Sequence, residues 1–343
     1  MNTRIFFHFL PMIFASVFLW FPGTLVADAP AKIKLATLAP QGTIYHRVLQ
    51  EMGEQWRRAE GEDARFIVYP GGTQGGEADV VRRMRIGQLN ASLLSVVGLS
   101  EIDFSVTALQ YMPLVFRSWE EFDYAGSRLR PILEQRLRDK GFIVLFWVEA
   151  GWVRFFSRYP AARPEDFKDQ TIFSWAGDLE HVRLVDSLGY RQAVLETADI
   201  FPSLQTGLID VVPVTPAYAL ATQIYTLAPY MLDMKWAPIV GALVITEKAW
   251  LGMSPSGREA LEQAAAGAAD KLRAVRSDLD TRAVEAMQKR GLKVQPLTPE
   301  TEAKWQQLVE GAYPAIRGNS VPTEIFDDVL QLLADFRSSG NVQ

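Results

Sequence analysis

Two short stretches of this chain, one in each half, follow the same pattern. The first is Met84–Ala91 and the second is Gln205–Val212. Each predicts a helix that ends at a glycine, followed by a spacer, an apolar residue, an Asn or Asp, and a strand. Glycine suits a helix end because it adopts a positive φ without a steric cost from a Cβ atom. Since one stretch precedes and the other follows a break near residue 150, we expect two similar α/β lobes with a cleft between them.

The composition is typical of a globular protein without affinity for nucleic acid. A length of 343 residues exceeds one average domain, which favours two lobes. Hydrophobic residues make up 48% of the chain and charged residues 22%, enough for a substantial core. The net charge of −5 offers no basic surface, so no nucleic-acid partner is expected. The chain contains no cysteine, so neither a disulfide nor a lipid-modified thiol is available.

The N-terminal residues resemble an export signal. Arg4 precedes an apolar run, Ile5–Ala27, which is followed by an Ala-Asp-Ala sequence of the kind that signal peptidases cleave. The run is also long enough for an uncleaved membrane anchor. Pro11 and Pro22 interrupt it, which favours the signal peptide. We therefore expect residues 1–29 to be removed and the mature protein to be periplasmic.

Strand and helix patterns alternate along the chain and restart after its middle. The order β-α-β-α-β from Lys32 to about residue 96 predicts a mostly parallel sheet with crossover helices. A second series begins after Gly151, with a first strand predicted at Trp152–Ser157. The segment Glu247–Arg290 predicts a very long helix with an interruption near Ser254. A helix of about 35 residues spans about 50 Å, so it is expected to lie across both lobes.

Motifs for catalysis or metal binding are missing from the sequence. Beyond the predicted signal peptide only His46 and His181 remain, and neither has a His or Cys three or four positions away. No nucleophile-elbow, dinucleotide-binding or P-loop motif occurs. The glycine-rich stretch Pro70–Glu77 could hold an anion, but Glu77 and Asp79 would repel a phosphate, so a flexible loop is favoured. No catalytic residue, cofactor or metal is therefore expected, and an exported hydrolase with a histidine base is the alternative.

Four motifs, in order, cover nearly the whole mature chain: Val68–Gly72, Arg85–Asn90, Arg163–Lys168 and Leu204–Asp210. With them the chain resembles the extracytoplasmic solute receptors of TRAP transporters, of the C4-dicarboxylate-binding type. The resemblance implies an α/β, two-lobed periplasmic-binding-protein fold with a ligand cleft and a long bridging helix. It also implies a receptor that is not an enzyme, and that captures a small molecule and delivers it to the membrane permease subunits.

The resemblance also implies a division of the chain into lobes. We expect residues 1–29 to be the signal peptide and residues 338–343 a tail. Lobe I is expected to contain residues 30–150 and about 237–265. Lobe II is expected to contain residues 151–236 and about 266–337.

The cleft departs from the family pattern at polar positions. Members of the family commonly hold a substrate carboxylate with an Arg where this chain has Phe173, and a second Arg often stands where it has Val153. Arg154 is the neighbour of that second position. Val214 and Leu38 also stand where polar contacts are common. The cleft is therefore expected to be apolar and to take a hydrophobic or amphipathic ligand.

The departures resemble a subgroup of TRAP receptors that work with a tetratricopeptide accessory protein and are thought to accept hydrophobic ligands. Such an accessory protein is therefore a further expected partner. Tryptophans at strand ends and lobe crossings are expected either to line the cleft or to pack in the core. The expected ligand-binding residues are Leu38, Glu77, Ser95, Trp152, Val153, Arg154, Phe173, Trp175, Thr197, Val214, Thr215 and Trp236.

Two further alternatives remain open. An ordinary organic-acid receptor would use Arg154 or Arg183 for the substrate carboxylate. A scaffold that has lost ligand binding would only connect envelope proteins.

Overall fold

The computed structural model describes residues 32–61 and 63–339. The predicted signal peptide lies outside the described residues, as do residues 340–343 of the predicted tail. The strands are β1 (Lys32–Thr37), β2 (Arg65–Tyr69), β3 (Ala91–Ser95), β4 (Phe142–Trp152), β5 (Arg154–Ser157), β6 (Ile172–Trp175), β7 (Gln192–Leu195), β8 (Val211–Val214), β9 (Tyr230–Leu232), β10 (Pro238–Thr246) and β11 (Lys293–Gln295).

The helices alternate with these strands. They are α1 (Ile44–Glu60), α2 (Glu77–Arg85), α3 (Val96–Ser100), α4 (Trp119–Asp139), α5 (Leu179–Ser187), α6 (Ile200–Thr206), α7 (Pro216–Ala221), α8 (Glu247–Leu251), α9 (Pro255–Gln288), α10 (Pro299–Ile316) and α11 (Thr323–Ser338). Short 3-10 helices lie at Phe104–Leu109, Pro164–Phe167, Thr197–Asp199 and Ile224–Thr226.

Two mixed sheets confirm the predicted α/β fold. The first sheet has the order β2-β1-β3-β10-β4, and the second has the order β11-β9-β5-β8-β6-β7. In the first sheet β1 is parallel to β2 and β3, as the β-α-β pattern predicts, whereas β10 returns antiparallel between β3 and β4. We call the part around the first sheet lobe I and the part around the second sheet lobe II.

The chain crosses between the lobes at two segments that pair with each other. The first crossing lies at Val153, between β4 and β5, and the second lies between β9 and β10. The Val153 amide donates to the Ala237 carbonyl at 2.9 Å, and the Trp236 amide donates to the Val153 carbonyl at 3.1 Å. The two crossings therefore form one short ribbon at the junction of the lobes.

The long helix α9 joins both lobes. Ser254 caps its N-terminus by accepting from the Gly257 amide, and Pro255 occupies the first turn, where a proline costs no hydrogen bond. The predicted interruption near Ser254 is the break between α8 and α9. Small buried side chains, among them Ala264 and Ala268, let α9 pack closely on α1 and β4. Its last turns pack in the core of lobe II through Ala283 and Met287.

Charged side chains connect α9 to the crossing. Arg276 is buried and pairs with Asp123 and with Glu149, at 3.1 Å from the latter. Asp280 accepts a hydrogen bond from the Trp152 amide at 2.8 Å, directly beside the first crossing. Burial raises the pKa of Asp280, and the hydrogen bond from the Trp152 amide opposes this rise. The bridging helix thus holds the crossing backbone as well as spanning the lobes.

The two C-terminal helices pack on different lobes. The Trp305 indole of α10 donates to the Ala162 carbonyl of lobe II at 2.8 Å. In α11, Arg337 pairs with Glu121 of α4 at 2.8 Å, which attaches this helix to lobe I. The prediction that places residues from about 266 to 337 in lobe II therefore needs correction for α11, because its apolar face packs against α4. Residue 338 belongs to α11 and not to a tail.

Replacing Gly151 by alanine should destabilise the fold. Gly151 has a φ of +106°, and an added Cβ atom would lie 2.6 Å from Oδ1 of Asp280. We expect G151A to lower the free energy of unfolding by about 1–3 kcal/mol, measured by urea denaturation. The matched control is Gly267, an exposed residue in α9 whose added Cβ atom would meet nothing within 4 Å. G267A should stabilise the protein by about 0.5–1 kcal/mol, and equal losses in both variants would contradict the strain argument.

Candidate functional site

A cavity of about 650 Å³ lies between the lobes. The carboxyl ends of several strands open into it, as is usual for ligand sites in α/β proteins. Leu38 follows β1 and Ser95 ends β3 in lobe I, while Trp175 ends β6 and Val214 ends β8 in lobe II. Trp236, from the second crossing, completes the wall between the lobes.

The structure brings most of the predicted site residues together. Ten of the twelve line this cavity: Leu38, Glu77, Ser95, Val153, Phe173, Trp175, Thr197, Val214, Thr215 and Trp236. Trp152 and Arg154 are not among the lining residues. Ligand contact by these residues stays a prediction, because only their position around the cavity is observed.

The alternation of side chains along the first crossing explains why Trp152 and Arg154 lie elsewhere. Successive residues of an extended chain point to opposite sides, so Val153 faces the cavity and its two neighbours face away. Trp152 is buried against Trp119, with 4.7 Å between the ring centroids. Arg154 is buried beside Asp233, 3.4 Å from its carboxylate, and burial lowers the pKa of the guanidinium. The geometry therefore does not support the prediction that the side chains of Trp152 and Arg154 line the cleft.

The walls of the cavity are mainly apolar. Phe173 is 5% exposed and belongs to the core of lobe II, and Val153 is 6% exposed. Trp236 packs against Phe155, with 5.2 Å between ring centroids, and belongs to the buried core as well as to the wall. The expected apolar character of the cleft therefore follows from buried side chains that also belong to the packed core.

Glu77 is a buried carboxylate in this apolar wall. It begins α2 and accepts hydrogen bonds from the Ser95 amide and from the Gly98 amide, each at 2.8 Å. The Ser95 hydroxyl is a third donor. Burial raises the pKa of Glu77, the three hydrogen bonds oppose that rise, and the negative charge of Asp178 adds to it.

A second acidic group, which the sequence did not indicate as a site residue, lies across the cleft. Asp178 caps α5 by accepting from the His181 amide at 3.0 Å. The same oxygen, Oδ1, accepts from the Tyr111 hydroxyl at 2.6 Å, which connects lobe I to lobe II. Asp178, Tyr111 and His181 all line the cavity. Burial lowers the pKa of His181, so its ring is neutral near pH 7.

The cationic side chains of the lining stand at the rim. Arg47 on α1 and Arg282 on α9 both line the cavity, and both are exposed. Their helices lie side by side in opposite directions, because Glu51 contacts Lys271 and Glu60 contacts Ser254. Arg183, the alternative carboxylate partner, is exposed on α5, pairs with Glu180 and is not a lining residue.

Within residues 32–61 and 63–339, no group of three or more His, Asp or Glu side chains could hold a metal ion. No helix in these ranges combines the length and the apolar character that a membrane crossing requires.

Solved structures share this fold. A TRAP periplasmic solute-binding protein from Xanthobacter autotrophicus with bound β-D-galacturonate aligns with a TM-score of 0.78 and 18% identity, over 88% of this chain and 99% of that one. Another from Ralstonia eutropha, with bound (S)-2-acetolactate, aligns with a TM-score of 0.81 and 17% identity, over 89% and 99% of the two chains. These likenesses establish the two-lobed fold.

Sequence comparisons agree with the fold. A solute-binding protein from Chromohalobacter salexigens is 23% identical over 211 residues, which are 61% of this chain and 62% of the relative. Residues 35–318 match the DctP model, described as bacterial extracellular solute-binding protein, family 7. Because this match spans most of the chain, the protein belongs to family 7 of the bacterial extracellular solute-binding proteins.

Proposed function

We propose that this chain is the periplasmic receptor of a TRAP transporter, which captures an organic acid with a large apolar part and delivers it to the membrane permease. Membership of the family supports the receptor role. The solved relatives with galacturonate and acetolactate support an acid as the ligand. The observation that carries the proposal is the cavity itself, whose walls are mainly apolar and whose rim holds Arg47 and Arg282.

An entirely hydrophobic ligand is less well supported than an organic acid. The ligands named for the solved relatives are acids, so the expectation of a hydrophobic ligand has no support among them. The apolar walls instead restrict which acid fits. The acid enters with its apolar body toward Phe173 and Val153, and its carboxylate stays near the rim arginines.

The expected energies agree with this orientation. Each 100 Å² of apolar ligand surface removed from water contributes about 2.5 kcal/mol. A hydrogen bond to a charged group contributes about 1.5–3 kcal/mol when buried, but Arg47 and Arg282 are exposed, so water screens them and the gain is smaller. Affinity therefore comes mostly from the apolar body, and the arginines set its direction.

Small dicarboxylates are poor candidates for this cavity. A short diacid has no apolar body, and its inner carboxylate would face Phe173 without a cationic partner. Glu77 and Asp178 would repel it as well. We therefore propose that the departure from the family pattern at Phe173 changes specificity away from C4-dicarboxylates.

A receptor role does not require a catalytic histidine. His46 is one of the two histidines considered as the base of a hydrolase. It is buried, and its Nδ1 accepts a hydrogen bond from the Gly42 amide at 3.2 Å, which indicates a structural role. We propose no enzyme activity. Export to the periplasm with a cleaved signal peptide and a tetratricopeptide accessory partner both stay predictions.

The charge requirement can be tested with octanoate and its neutral analogue octanamide. We expect wild-type protein, measured by calorimetry, to bind octanoate about tenfold more tightly, because only the acid pairs with the rim arginines. The double variant R47Q/R282Q should bind octanoate about as weakly as octanamide, and its affinity for octanamide should stay close to that of the wild type. The matched control R57Q/R273Q removes two exposed arginines of the same helices outside the cavity and should behave as wild type.

Two results would contradict this orientation of the ligand. Equal binding of octanoate and octanamide by wild-type protein would favour the hydrophobic ligand. Micromolar binding of succinate that weakens with added salt would favour an ordinary receptor for small organic acids.

Replacing Phe173 by arginine tests the specificity argument. F173R puts a cation into the apolar wall, where an apolar body no longer fits well and where a second carboxylate gains a partner. We expect octanoate binding to weaken at least about tenfold, which corresponds to about 1.4 kcal/mol, and succinate binding to improve. F173L keeps the wall apolar and is the control, with thermal unfolding measured for both. Unchanged ligand preference in a folded F173R protein would refute the role given to this position.

A further inference from the structure

We propose that Asp178, with Tyr111 and His181 beside it, binds a hydrogen-bond donor on the ligand, either a hydroxyl or an ammonium group. This inference rests on the proposed function and adds a second polar requirement to the ligand. The ligand would then combine three parts: a carboxylate near the rim arginines, an apolar body, and a donor that reaches Asp178.

The first observation is an unused acceptor oxygen. Asp178 is 9% exposed and lines the cavity. Its Oδ1 accepts from the Tyr111 hydroxyl and from the His181 amide. Its Oδ2 accepts no hydrogen bond from the residues that the structure describes. Asp178 therefore presents an acceptor oxygen without a protein donor at the cavity, and this position favours a ligand that supplies a donor.

The second observation is the charge around Asp178. No ion pair involves Asp178 within the described ranges, and the rim cations have other partners. Arg47 donates to the Gly42 carbonyl at 2.5 Å, and Arg282 pairs with Asp278 at 2.8 Å. The negative charge that acts on Glu77 comes from Asp178. No cation among the described residues therefore neutralises Asp178, and the region would reject a second carboxylate.

The neighbours of Asp178 can serve a polar ligand group. Burial and the adjacent carboxylate raise the pKa of Tyr111, so its hydroxyl stays protonated and keeps donating to Asp178. The neutral His181 ring has one donor and one acceptor nitrogen, and neither has a protein partner among the described residues. A hydroxyl group could use both His181 and Asp178, whereas an ammonium group would pair mainly with the carboxylate.

The Tyr111–Asp178 contact also places this region at the meeting point of the two lobes. Tyr111 follows the 3-10 helix of lobe I, and Asp178 begins α5 of lobe II. A ligand group bound to Asp178 therefore touches an existing contact between the lobes. This position makes the donor a determinant of specificity, because a ligand without it leaves Oδ2 unpaired.

The test compares octanoate with ω-hydroxyoctanoate and ω-aminooctanoate. Wild-type protein should bind both donor-bearing acids about tenfold more tightly than octanoate. The D178N variant keeps one carbonyl oxygen for Tyr111 and the α5 cap but loses the charge and the second acceptor. D178N should no longer prefer ω-aminooctanoate over octanoate, and it should keep only part of the preference for ω-hydroxyoctanoate.

The control variant is D186N, which removes the same charge from an exposed position on the same helix. It should keep every preference of the wild-type protein, and thermal unfolding of both variants checks that they fold. Octanoate binding without any preference for the donor-bearing acids would overturn the role of Asp178 and leave the proposed function standing. Failure of the wild-type protein to bind octanoate would overturn the proposed function, and the inference with it.

Discussion

The pairing of the two crossing segments is the interaction on which the cavity depends. Val153 exchanges backbone hydrogen bonds with Trp236 and Ala237, and Asp280 of the bridging helix holds the adjacent Trp152 amide. This ribbon fixes which side chains point between the lobes. Val153 and Trp236 form part of the cavity wall because their backbones are held here, and Arg154 is directed to Asp233 by the same alternation. Position in the ribbon thus decides the chemistry of the wall.

The cavity combines mainly apolar walls with a few charged groups in separate places. Its walls continue the packed cores of both lobes, so apolar surface is favoured over most of its volume. Its acidic groups, Glu77 and Asp178, lie on opposite lobes, and its cations are confined to the exposed rim. A ligand that satisfies this arrangement must be asymmetric. A cavity with this lining differs from one that would hold a short diacid between buried arginines.

Much of this could be predicted from the sequence, for physical reasons. The paired helix-glycine-strand patterns are local, and they predicted two α/β lobes. The resemblance to the family indicated positions such as Phe173 and Val214. Both belong to strands of lobe II whose carboxyl ends converge on the cleft. Strand alternation at Val153 could also have excluded Trp152 and Arg154. Tyr111 and Asp178 could not be paired, because 67 residues separate them and only the packing of the lobes brings their side chains together.

The apolar lining also determines how water behaves in this site. A cavity of about 650 Å³ admits many water molecules, but its walls offer few groups with which they can form hydrogen bonds. Such water is easily displaced, and its return to bulk solvent supplies free energy that does not depend on any one contact with the ligand. Over most of such a lining, the shape and volume of a bound molecule would determine how well it fits. Polar groups that could distinguish one ligand from another by hydrogen bonds or charge lie at only a few positions of the lining.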